Sequence, residues 1–135
     1  MKLLLNHVSS FRYEVTERTD IGRDLEEGEE TGETGEALLV KVCTEQGDSR
    51  GTVETAAEEV SDAARQIGVD RVVLFPWAHL SSDLASPSTA RELLEGLEEA
   101  MEEEGYEIVR VPFGWYKEFQ LDSKGHPMSV RSKSL

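Results

Sequence analysis

The segment "VPFGWYKEFQLDSKGHP", residues 111–127, holds the residue best suited to chemistry. Read as a strand, it sets Phe113, Trp115, Lys117, Phe119 and Leu121 on one face, apolar apart from the single lysine. An edge lysine that lays its stem on apolar surface and blocks strand aggregation accounts for this pattern. So does a lysine held among aromatic rings, where its ammonium binds or polarises an anionic or carbonyl oxygen and burial lowers its pKa. Periodicity alone leaves both readings open.

His79, in "PWAHLSS", is the second candidate. A neutral imidazole donates and accepts near pH 7, which suits a substrate or water contact; hydrogen bonds that anchor the surrounding loop are the plainer role. Ser81 and Ser82 read as loop or cap residues, because no G-x-S-x-G elbow occurs. Asn6 and His7 interrupt an apolar run and need partners if buried; a structural role is the simpler one. His126, in "KGHP", reads as a turn residue. The three histidines and the single cysteine show no ligand spacing, so no metal site is expected. Cys43 reads as a buried, inert thiol, and a lone cysteine forms no intramolecular disulfide.

The elements that must position these groups follow from periodicity. "MKLLLNHV" and "FRYEV" read as two strands, "EALLVKVCTE" as a third. Residues 17–35, rich in Glu, Gly and Thr, read as a mobile acidic loop. "TVETAAEEVSDAARQIG" has the spacing of an amphipathic helix, with Gly68 placed to close it. "RVVLFPWAHL" is apolar on both faces, as a strand covered on both sides would be. A second helix starts at Ser86 as N-cap with Pro87 in its first turn, and ends at Gly105. "YEIVRVPF" and "WYKEFQLDSKG" complete the series, separated by little more than Gly114. The expected fold is α/β: one domain over residues 1–135, a mixed sheet with two amphipathic crossover helices and parallel pairing among strands three to five. Ligands in such sheets sit beyond the C-terminal ends of the parallel strands, which points to "PWAHLSS".

The 28 acidic residues against 14 basic give a net charge of −14. That balance disfavours a general nucleic-acid binder and suits the solvated surface that halophilic proteins carry. The tail is different: from Lys117 onward four basic residues face two acidic ones. No apolar run reaches the length of a membrane span, and the N-terminal leucines are too few for a secretory signal. A cytoplasmic protein is expected.

Three stretches, "FPWAHLSSDLASPS", "VPFGWYKEF" and "SKGHP", together with the start "MKLLLNHVSSFRYEV", resemble the N-terminal editing domain of archaeal threonyl-tRNA synthetases. The resemblance spans nearly the whole chain. It implies the D-aminoacyl-tRNA deacylase-like fold and the removal of L-serine from mischarged tRNA-Thr by hydrolysis of the aminoacyl ester, with help from the ribose 2′-hydroxyl and no cofactor. It implies catalytic roles for Lys117, His79 and Tyr116, and substrate-binding roles for Pro76, Ala78, Phe113 and His7. Implied partners are the acceptor end of tRNA-Thr, a threonyl-tRNA synthetase catalytic subunit or remainder of the chain, and a second copy in a homodimer. The chain departs from the family at Val130, where a glutamate is expected. Two alternatives stay open: a catalytically silent module that binds the tRNA end or a synthetase, and a D-aminoacyl-tRNA deacylase. The Gly-Pro dipeptide by which stand-alone D-aminoacyl-tRNA deacylases exclude L-substrates is absent.

Overall fold

The computed structural model describes all residues, Met1–Leu135. Its strands are β1 Lys2–Arg18, β2 Thr31–Thr34, β3 Ala37–Cys43, β4 Arg71–Pro76, β5 Glu107–Arg110, β6 Trp115–Ser123 and β7 Val130–Ser134. The helices are α1 Arg50–Ile67 and α2 Pro87–Glu103. They form one mixed sheet in which β3, β4 and β5 run parallel while β2, β3, β6 and β7 all pair antiparallel to β1.

The two expected N-terminal strands are one strand of 17 residues. A register shift between Val8 and Ser10 makes it look like two. Leu3 and Leu5 face the helices, whereas Phe11 and Tyr13, also odd-numbered, join Val8 in the other core. One extra residue in the ladder reverses the face that each parity takes. The acidic segment 17–35 departs from the expected mobile loop as well. Its first two residues extend β1, and Thr31–Thr34 pair with Phe11–Glu14. The C-terminal strand β7, against Lys2–Asn6, had no sequence signal because its alternation lacks apolar residues.

The helices follow their patterns. Gly68 takes the left-handed conformation (φ 72°) that closes α1. Ser86 accepts a hydrogen bond from the Thr89 amide at the start of α2, with Pro87 in the first turn; such a cap is worth about 1 kcal/mol. Small residues Ala56, Ala57, Ala63 and Ala64 bring α1 close to the sheet, in a core shared with Leu94, Leu97 and Met101 of α2. Both helices therefore cover the same face. The second face of β4 is covered by strands instead, with Val73 and Phe75 packed against Phe11, Tyr13 and Leu121.

Candidate active site

Two prolines open the cleft. Pairing between β3 and β4 ends at Val42 and Pro76, and that between β4 and β5 ends at Leu74 and Arg110, just before Pro112. The Trp77 amide still bonds to the Val42 carbonyl (2.8 Å), whereas Pro76 has no N–H to carry the β4–β5 ladder beyond Leu74, and those chains diverge. The space beyond the parallel strand ends is a cleft of about 400 Å³, within the size range of small-ligand sites.

Gly114 turns the chain from β5 into β6. Its φ of 79° is the left-handed region, and a Cβ there would meet the Gly22 backbone at 2.7 Å. The corner is held from the acidic segment: Thr19 donates to the Gly114 carbonyl through both its amide (3.0 Å) and its hydroxyl (2.5 Å). The Trp115 indole donates to the Arg23 carbonyl at 2.8 Å, and Arg91 of α2 donates to the Ile21 carbonyl. Thr19 and Ile21 wall the cleft as a result. Sequence reasoning missed them because neither belongs to a periodic pattern.

Six of the seven candidate residues line this one cleft: Lys117, His79, Tyr116, Pro76, Ala78 and Phe113. Lys117 Nζ lies 5.3 Å from the centroid of the Phe75 ring and donates to the Pro112 carbonyl at 2.9 Å. No carboxylate accompanies it, and burial pushes its pKa down to about 8. Tyr116, of the opposite strand parity, is 63% exposed at the rim of the cleft. The His79 ring packs at a steep angle on Trp77 (5.2 Å between centroids). Loop anchoring falls to Ser81, whose hydroxyl donates to Glu45 at 2.6 Å and holds that carboxyl below the usual range. Cys43 borders the cleft, but burial pushes its thiol pKa up, away from the nucleophilic thiolate.

His7 is the exception. It does not line the cleft; it is buried beside the segment joining β6 to β7. The Met128 amide donates to His126 Nδ1 (3.2 Å), so His126 carries its proton on Nε2 and donates to His7 Nδ1 (2.8 Å). His7 Nε2 then donates to Glu36 (2.7 Å), and the carboxyl is held below its usual range by that bond and by Lys124. These bonds form a clasp that fastens residues 124–129 to β1. Val130 stands in β7 opposite Asn6, 53% exposed and outside the cleft.

Lys41 went unnoticed in the sequence although it breaks a pattern as Lys117 does. Ala37, Leu39, Lys41 and Cys43 alternate on one face of β3. Its Nζ lies 4.2 Å from the Trp77 ring centroid and 5.4 Å from that of Phe119.

The fold has solved counterparts. The c-Myc DNA unwinding element binding protein superposes with a TM-score of 0.74 at 12% identity, covering 100% of this chain and 99% of its own. A probable eukaryotic D-amino acid tRNA deacylase gives 0.60 at 9% identity, covering 98% and 97%. At such identities the likeness concerns the fold. In sequence, the chain is 40% identical over 138 residues to the threonine–tRNA ligase of Methanopyrus kandleri and 42% identical over 137 to that of Thermofilum pendens. The whole chain is matched in each case, yet it spans only 22% of the length of either relative. The model of the archaea-specific editing domain of threonyl-tRNA synthetase matches residues 1–135, and the chain belongs to that editing-domain family.

Proposed function

We propose that the chain removes L-serine from mischarged tRNA-Thr by hydrolysing the ester at the terminal adenosine. The observation that carries this reading is the Lys117 ammonium, unpaired with any carboxylate and set over Phe75 in the cleft of an editing-family chain. The physical need is plain. Threonine and serine differ by one methyl, worth only about 1–3 kcal/mol of discrimination in a pocket, so a second, hydrolytic site supplies the rest.

Water attacks the acyl carbon, and the carbonyl oxygen takes on negative charge. Pro112 accepts one of the three Nζ–H groups of Lys117, which leaves two for water and the developing oxyanion. Collapse breaks the bond from the acyl carbon to the ribose oxygen. The proton lost by water passes to that oxygen with assistance from the neighbouring hydroxyl, giving free serine and intact tRNA. No protein nucleophile enters: Ser81 is engaged with Glu45 and the Cys43 thiol is buried. Pro76, Ala78 and Phe113 shape the pocket, while His79 and Tyr116 meet the substrate at its rim. The partners are the acceptor end of tRNA-Thr and the rest of a synthetase.

Deacylation of Ser-, Thr- and D-aminoacyl-tRNA-Thr, at low and high salt, tests the assignment. Serine is released fastest, and Lys117→Met abolishes release while circular dichroism shows an unchanged fold. Unchanged activity in Lys117→Met overturns the mechanism. Tight binding of a seryl-adenosine analogue without hydrolysis identifies a silent binding module, and faster release of D-amino acids identifies a D-aminoacyl-tRNA deacylase.

A further inference from the structure

Two acidic elements meet beside the cleft. Residues 17–35 carry eight acidic side chains against Arg18 and Arg23, and α2 carries six glutamates against one basic residue, Arg91. Like charges of this density push the two apart. They nevertheless enclose a cavity of about 110 Å³, lined by Asp24, Glu26 and Glu29 of the segment and by Glu95 of the helix. Arg23 reaches Glu95 at 3.6 Å, and Arg110 reaches Glu98 at 3.3 Å. Arg91 is half-buried in the same cavity and pairs with no carboxylate. Its guanidinium donates to the Ile21 carbonyl (2.5 Å) and lies 5.1 Å from the centroid of the Phe113 ring. Ile21 and Phe113 both wall the cleft, whereas Arg91 does not border it. Ile21 lies within a turn closed by the Gly22 amide on the Thr19 carbonyl (3.0 Å), and the ends of that turn are fastened to Gly114 and Trp115.

We propose that Arg91 is a positioning residue of the cleft: one guanidinium sets two of its walls, the Thr19–Gly22 turn through the Ile21 carbonyl and Phe113 through the face of its ring. The proposal rests on the deacylase reading above and extends it to a side chain that touches no substrate. The residue type fits the task. A guanidinium is planar and always charged, so it lies over a ring while its edge donates a hydrogen bond, which a compact ammonium does less well. Its partner is a neutral carbonyl, so its positive charge stays free to act on the carboxylates of both elements around it. Without it, the turn is held to α2 by the longer pair between Arg23 and Glu95, two exposed groups, and such pairs contribute little. The turn then moves outward, and Ile21 and Phe113 no longer confine the substrate.

Deacylation of Ser-tRNA-Thr by the 135-residue chain is measured across salt concentrations at which it stays folded, each variant being compared with wild type at the same salt. Arg91→Met raises KM about fivefold at low salt and keeps kcat within about twofold, because walls that hold substrate and transition state alike act on KM. The defect narrows as salt rises, since screening weakens the repulsion that the guanidinium opposes. Arg91→Lys, which keeps the charge and a donor but not the plane, falls between Arg91→Met and wild type. Arg71→Met is the control: it removes an equal charge from a pair with Glu107 (3.1 Å) at the opposite end of the parallel strands, and it leaves KM unchanged. Hydrogen exchange at the Thr19 and Gly22 amides, followed without ligand, speeds up in Arg91→Met and keeps its wild-type rate in Arg71→Met. If wild type neither hydrolyses Ser-tRNA-Thr nor binds a non-hydrolysable seryl-adenosine amide, the deacylase reading falls and this proposal with it. If wild type is active, the positioning role alone is overturned by a wild-type KM in Arg91→Met, by unchanged exchange at the turn, or by an equal loss in Arg71→Met. A loss that neither salt nor Arg91→Lys relieves assigns Arg91 to general stability and overturns the role as well.

Discussion

The Lys117 ammonium stands 5.3 Å from the centroid of the Phe75 ring, with the Pro112 carbonyl as its one hydrogen-bond partner. The ring supplies attraction without neutralising charge, and the carbonyl fixes direction without filling all the donors. Burial disfavours the charged form and brings the pKa to about 8. The group is thus mostly protonated at neutral pH and titrates within reach of assay.

Enzymatic deacylation, corrected for spontaneous ester hydrolysis, therefore falls as the pH rises through about 8. The effect on stability has the opposite sign. Between about 8 and the ordinary lysine value the unfolded chain binds a proton that the folded chain does not, so this group makes stability rise with pH across that window. Lys117→Met removes the buried charge and leaves the melting temperature at neutral pH equal or higher. A lower melting temperature, or activity flat to pH 9, contradicts the burial argument.

Gly114→Ala destabilises the corner. The added Cβ meets the Gly22 backbone at 2.7 Å and forces a left-handed φ on a residue that rarely takes it. A loss of about 1–3 kcal/mol in denaturant unfolding is expected, with weaker binding of seryl-adenosine, because the corner carries Phe113 and Lys117 on either side.

His7→Ala separates structure from chemistry. It leaves His126 without its partner and costs about 1–3 kcal/mol, while seryl-adenosine affinity stays within about twofold of wild type, since His7 lies outside the cleft. The bond to Glu36 contributes fully above the ordinary carboxylate range, and its contribution is lost as pH falls through the lowered Glu36 pKa. Loss of binding without loss of stability returns His7 to the substrate site.

The net charge of −14 makes stability depend on salt. Screening reduces the self-repulsion of the acidic surface, so the melting temperature rises with potassium chloride. An invariant value between low and molar salt shows that the charges are already balanced locally.

Much of the architecture was legible in the chain itself. Periods of two and of three to four set which side of each element faces a core, and cap residues such as Ser86 and Gly68 marked the helix ends, because these are contests between neighbours in sequence. The same test singled out Lys117, and applied to Ala37–Cys43 it would have found Lys41. What periodicity does not carry is partnership across distance. Ser9 carries no sign of a bulge, yet the extra residue there redirects half of β1. Thr19 and Gly114 are brought together only when β6 folds back along β1. His7, His126 and Glu36 meet through hydrogen bonds across sheet register, a clasp that no spacing in the sequence announces. The amino-acid order determined the alternation that set Lys117 on an apolar face; tertiary structure decided that Phe75, Pro112 and the acidic segment would surround the site, because only chain closure brings those groups within contact range.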